Sequence, residues 1–192
     1  MQMKRVTKMA VARPVDDELC MEGHTAFESG TLPWYALCIQ QRQRENCENY
    51  LSSHYYKYFS PVLREMHLWS DRTKAVLAPL FPGYLFCQFD PHQSLPVLKA
   101  PGVTRIVCSA GKPLEVNATE LGHVAQSLRA GTSLDVVNEC LSGQRVKIIA
   151  GPLAGIEGVT VIARHQFRIG LAITMMNKSV LVEVSPSQVV SL

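Results

Sequence analysis

Residues 69–89, WSDRTKAVLAPLFPGYLFCQF, decide how this chain is read. A basic turn, Ser70-Asp71-Arg72-Thr73-Lys74, leads to a break at Pro82-Gly83, and then to a strand that is apolar on both sides. Side chains alternate along a strand, so Leu85, Cys87 and Phe89 share one face while Tyr84, Phe86 and Gln88 share the other. A sheet needs only one apolar face to bury against its own helices. The two aromatics on the second face therefore admit two readings. Either the face is kept for a protein partner, or a second helix covers it and it is ordinary core.

Periodicity places the elements on either side. Trp34-Tyr35-Ala36-Leu37-Cys38-Ile39 reads as a strand with Tyr35, Leu37 and Ile39 on its more apolar face. A helix is predicted over 42–54, because Cys47, Tyr50, Leu51 and His54 fall at i, i+3, i+4 and i+7. Arg42, Arg44 and Glu45 lie off that stripe. Strands follow at 56–60, 62–69 and 83–89, then a short helix capped by Ser94 that ends before Pro101-Gly102. A strand over 103–108 precedes a helix opened by Asn117, with Glu120 three residues on in a capping-box pattern. Leu121, Val124, Ala125 and Leu128 line one side of it. This order predicts an α+β unit over 32–130, a mainly antiparallel sheet with flanking helices.

The flanks differ. Residues 1–31 mix charge, Pro, Gly and Met without a sustained period and read as a disordered tail. Residues 131–140 read as a linker, although Val136 and Val137 make it less polar than most. Over 141–192, β-branched residues alternate (Val146 and Ile148, Val159 and Val161, Val180, Val182 and Val184) between turns, with no helix signal. That pattern predicts a small β-barrel.

Composition narrows the function classes. With 47% apolar and 18% charged residues, the 192-residue chain has enough apolar content for a core. Its net charge of +3 does not by itself demand nucleic acid, but the excess sits in residues 32–130, which carry 10 basic and 7 acidic side chains. No two of the six cysteines lie within four residues of each other, so no zinc knuckle is expected. Free buried thiols fit a cytoplasmic protein, and no apolar run is long enough to span a membrane. There is no His-Glu-x-x-His, Gly-x-Ser-x-Gly or phosphate-binding Gly-Lys-Ser/Thr loop, so no enzyme, cofactor or metal is expected.

The motifs resemble one family. Trp34-Tyr35 opening a strand, Phe81-Pro82-Gly83-Tyr84 before the central strand, and Pro101-Gly102-Val103 followed by Gly111-Lys112-Pro113 resemble the N-terminal (NGN) domain of the NusG transcription factors. The stretch from Gly143-Gln144-Arg145-Val146 through Gly151-Pro152-Leu153-Ala154-Gly155 to Gly158 is similar to the KOW motif of their C-terminal SH3-like barrel. Trp69-Ser70-Asp71-Arg72 and Pro79-Leu80-Phe81-Pro82-Gly83-Tyr84-Leu85-Phe86 look more like the specialised paralogues, the UpxY and RfaH types.

The resemblance implies a monomeric regulator of transcription elongation that suppresses pausing and modulates termination, often at selected operons. It implies that Cys38, Tyr84 and Phe86 face the clamp helices of the RNA polymerase β′ subunit. Gln40, Gln41, Arg42, Arg44, Arg72 and Lys74 are the candidates for upstream or non-template DNA, since phosphate contact needs charge and reach, and Gln and Arg can read base edges. The KOW residues Gly143, Val146, Gly151, Pro152, Gly155 and Gly158 would build a barrel that binds termination factor Rho or a small-subunit ribosomal protein. Asn177-Lys178-Ser179 departs from the Gly-Arg stretch usual in the general factor. The alternatives are a general factor assisting Rho and a ribosome-associated RNA-binding protein.

Overall fold

The computed structural model describes residues 8–10, 32–68, 73–132, 134–137, 143–163, 166–173 and 177–192. In chain order the N-terminal part contains β1 (Lys8–Ala10), β2 (Trp34–Ile39), α1 (Arg44–Ser53), β3 (Lys57–Phe59), β4 (Val62–Leu68), β5 (Thr73–Pro79), β6 (Tyr84–Gln88), α2 (Leu95–Leu98), β7 (Val103–Ile106), β8 (Cys108–Ser109), β9 (Lys112–Pro113), β10 (Glu115–Val116) and α3 (Ala118–Arg129). The C-terminal part contains β11 (Leu134–Val137), β12 (Arg145–Ile148), β13 (Glu157–Ala163), β14 (Gln166–Ile173), β15 (Lys178–Glu183) and β16 (Val189–Ser191). The fold is α+β: an antiparallel sheet with helices, followed by a β-rich region.

The first sheet runs β10-β2-β6-β3, with β7 also paired to β2. Its alternation separates two cores. Tyr35, Leu37, Ile39, Leu85, Cys87 and Phe89 pack with Cys47 and Leu51 of α1 and Val97 of α2. Trp34, Ala36, Phe59, Phe81 and Phe86 belong to a second cluster with Leu121, Val124, Ala125 and Leu128 of α3. The sheet is thus apolar on both faces because it is buried on both. The short β7 and α2 meet at the Pro101-Gly102 corner, where Gly102 has φ +80° and an added Cβ would lie 2.3 Å from Gln43 Cβ. Only glycine fits there.

Five expectations change. Residues 73–79 are a strand, not a passage from turn to break: β5 pairs with β4 through seven residues, from Leu68↔Thr73 to Val62↔Pro79. Within the expected tail, Lys8–Ala10 pairs antiparallel with Leu63–Glu65 of β4, and the rest of 1–31 lies outside the described residues. Within the expected linker, Leu134–Val137 forms β11 and pairs with β15, since β-branched residues suit a pleated, half-buried surface. The helix expected over 42–54 opens as a 3-10 turn, Gln41–Gln43, before α1. Ser94 precedes α2 without capping it through its side chain, whereas Asn117 does cap α3, accepting from the Thr119 N–H at 2.9 Å.

The C-terminal sheet has six antiparallel strands in the order β11-β15-β14-β13-β12-β16. Val146, Ile148, Leu153, Ile156, Ile169, Leu171, Val180 and Val182 are buried. Gly158 of β13 lies against β14: an added Cβ would fall 2.4 Å from Ile169 Cγ2 and 2.7 Å from the Gly170 carbonyl oxygen. Arg168 Nη1 bonds Asp135 Oδ2 at 2.5 Å and so ties β14 to the terminal strand β11.

Two buried thiols make the fold sensitive to alkali. Burial is the main cause that pushes Cys47 from its ordinary 9.0 up to about 11, with a smaller push from Glu48. Cys87 is raised further, again chiefly by burial. An unfolded thiol ionises near 9, while the folded Cys47 keeps its proton to about 11, so its contribution is complete below pH 9 and is lost as pH rises through 11. The urea midpoint should therefore fall across that window. Titrating the midpoint in wild type and in Cys47→Ala checks this, and the fall should be shallower in the variant.

Candidate functional site

The end of β2 gathers three backbone corners. Ile39 N–H donates to the Gly83 carbonyl and Gln40 N–H to the Gly102 carbonyl, both at 2.8 Å, while Gln41 Oε1 accepts from Gly83 N–H at 3.3 Å. Gly83 has φ +79°, which lets the Pro82-Gly83 turn swing β6 back alongside β2. In that register Cys38 sits opposite Tyr84 on one side and Arg105 of β7 on the other. Thr104 Oγ1 also donates to the Cys38 carbonyl at 3.0 Å. Cys38 and Tyr84 are half-buried, and Arg105 is exposed. One surface thus combines a ring, a thiol, a guanidinium and the exposed Gln40, Gln41 and Arg42. Sequence reading missed Arg105, because only strand pairing shows that it flanks Cys38.

Phe86 is placed differently from expectation. It is fully buried, edge-on to Phe81 with ring centroids 5.6 Å apart and stacked with Phe59 at 6.2 Å. The reading of an open second face is corrected for this residue, since Phe86 belongs to the cluster that includes α3. Tyr84 packs at the margin of that cluster.

The basic candidates divide. Arg44 is buried, at 8% exposure. Its Nε bonds Glu48 Oε1 at 2.8 Å, and its Nη2 donates to the Ser60 carbonyl at 2.7 Å and to Ser60 Oγ. Ser60 Oγ in turn donates to Glu48 Oε1 at 2.6 Å. The expectation that Arg44 faces DNA is therefore corrected: its donors are committed inside the fold, because i,i+4 spacing puts Glu48 within its reach. Arg42, two residues earlier, remains exposed beside a cleft of about 250 Å³ lined by Gln41, Arg44, Glu45, Glu48, Val62 and Leu77, among others. Lys74 lies in β5 opposite His67, near the end of the β4–β5 hairpin, and Arg72 lies outside the described residues.

The glycine-rich motif residues build the approach to β13. Val146 is buried in β12, and Gly143 stands where an added Cβ would be 2.2 Å from the Thr160 carbonyl oxygen. Gly151, Pro152 and Gly155 form the turn between β12 and β13, closed by Gly155 N–H donating to the Ile148 carbonyl at 2.8 Å. Gly158 then pairs opposite Val146. This turn rests on α3: Gln126 Nε2 donates to the Pro152 carbonyl at 3.0 Å and to the Ala154 carbonyl at 3.3 Å. Leu153 and Ile156, both buried, join the cluster that holds Phe86 and α3. Gln126, which the helical stripe leaves off its apolar face, links the two parts of the chain.

Among the described residues no group of three or more His, Cys, Asp and Glu side chains is arranged to hold a metal ion. Among them, too, no helix is long and apolar enough to cross a membrane.

Residues 32–125, which carry the first sheet, Tyr84 and most of α3, match the family model described as transcription termination factor nusG. Over these residues the chain is similar to the NusG family. It is 27% identical over 130 residues to the transcription termination/antitermination protein NusG of Thermus thermophilus, with 62% of this chain and 71% of that protein covered. It is 27% identical over 133 residues to the protein of the same description from Treponema pallidum, covering 63% and 72%. The solved structure described as "Domain interaction in Thermotoga maritima NusG" is similar at 20% identity and a TM-score of 0.45, covering 82% of this chain and 95% of that one.

Proposed function

We propose that this chain is a transcription elongation regulator of the NusG family that binds RNA polymerase, suppresses pausing and modulates termination, acting at selected operons. The observation that carries the reading is the family match over 32–125, the region that presents Tyr84 beside Cys38 at the rim of the first sheet. Its relatives bear the description termination/antitermination protein.

In this reading the β′ clamp helices dock on Tyr84 and Cys38. The protein then acts as a ligand of the closed clamp and holds it by differential affinity. Gln40, Gln41, Arg42, Arg72 and Lys74 face upstream or non-template DNA. The exposed Arg105 adds a charge on the same surface. The C-terminal sheet takes a second partner, Rho or a small-subunit ribosomal protein.

Tyr84→Ala should weaken polymerase binding by about 2 kcal/mol, roughly 30-fold, as truncating an interface aromatic does. A pull-down and titration with purified polymerase measure it. Unchanged affinity in a variant that melts like wild type counts against the docking face. The descriptions of the relatives also favour a second reading, a general factor assisting Rho. Pausing and termination assays with and without Rho separate the two: the first reading expects read-through, the second expects earlier Rho-dependent release.

A further inference from the structure

We propose that the N-terminal strand Lys8–Ala10 is an intramolecular clasp that holds the C-terminal sheet against the N-terminal domain. The strand precedes the family-matched region, which begins at residue 32. Its register pairs Lys8 with Glu65, Met9 with Arg64 and Ala10 with Leu63 of β4. It therefore caps β4 on the edge that β5 leaves open, giving the sheet order β1-β4-β5. It also contacts β11, the terminal strand of the C-terminal sheet. One short segment thus lies beside both parts at once, paired with β4 and next to β11.

A strand edge is a row of backbone donors and acceptors that attracts a further strand. A segment already tethered to the same chain meets that edge at high effective concentration. The clasp acts alongside the Gln126 bonds to the Pro152 and Ala154 carbonyls and the shared apolar cluster. Removing it should shift the population toward an arrangement in which the C-terminal sheet leaves α3. Its consequence for polymerase rests on the docking face proposed above: a closed arrangement lowers the apparent affinity by the fraction of chains that are open.

The test uses the full chain with Met9→Pro, since proline disrupts strand pairing, and a second variant lacking residues 1–11. Two NMR signals report on the clasp without any partner. One is the Gln126 side-chain amide, and the other is the tumbling of residues 34–129 relative to 145–191. Both variants should move the Gln126 signal toward that of a free amide and give the two parts separate tumbling times. If both keep a wild-type Gln126 signal and a single tumbling time, the clasp is overturned and the strand merely covers the β4 edge. Polymerase titration is then read separately. A several-fold tighter complex supports the docking face as well. Open variants that bind no better leave the clasp standing and overturn the docking face instead.

Discussion

Phe86→Ala should lower the free energy of unfolding by about 3–5 kcal/mol, the range for deleting a fully buried ring and leaving its cavity. The side chain has no exposed surface and is held between Phe81 and Phe59. These neighbours come from the β5–β6 turn and from β3, so the hole cannot close without moving a strand. Phe86→Leu should cost markedly less, because most of the volume and all of the apolar character remain. Urea melts of the two variants against wild type check this, and equal midpoints for Phe86→Ala and wild type would remove Phe86 from the core. The result also governs how binding data are read. Lost polymerase binding in Phe86→Ala reports unfolding, whereas the same loss in Tyr84→Ala, at the half-buried margin, reports contact.

Arg44→Ala should cost about 3–5 kcal/mol, the effect of removing one partner from a buried ion pair. The side chains of Arg44 and Glu48 are only 10% and 14% exposed. Truncation strands the Glu48 carboxylate and leaves the Ser60 carbonyl without its guanidinium donor. Arg44→Met with Glu48→Leu should recover most of the loss, since the charge and its counter-charge leave together. A double-mutant cycle by denaturant melts isolates the coupling. Near-additive losses would mean that the pair contributes little. Arg42→Ala should leave the melt unchanged, because its side chain is exposed.

The legible parts were those governed by short-range rules. Strand alternation sorted Tyr35, Leu37, Ile39, Leu85, Cys87 and Phe89 onto one face, and these six residues do share one core. Helical spacing selected Cys47 and Leu51, which are buried, and Leu121, Val124, Ala125 and Leu128, which cover the other face. Asn117 signalled the start of α3 through its cap. The hairpin strand Thr73–Pro79 was not legible, because Ala and Pro carry little strand signal and its pairing with β4 supplies the order. Arg44 was misread because a helical stripe counts apolar residues and ignores a cation that finds its anion one turn later.

Alternation of apolar residues and the spacing of glycines, prolines and caps by themselves determined that this chain forms an α+β unit followed by a β-rich one, and which strand faces are apolar. Those properties are local: each depends on backbone geometry over a few residues. Whether an apolar face meets a helix, another sheet or solvent depends on residues far along the chain. Only the tertiary structure could place Phe86 in the buried cluster that includes α3, set Arg105 beside Cys38, seat the Pro152 and Ala154 carbonyls on Gln126 and lay Lys8–Ala10 along β4. Burial is a property of the whole packed molecule, and no window of sequence contains it.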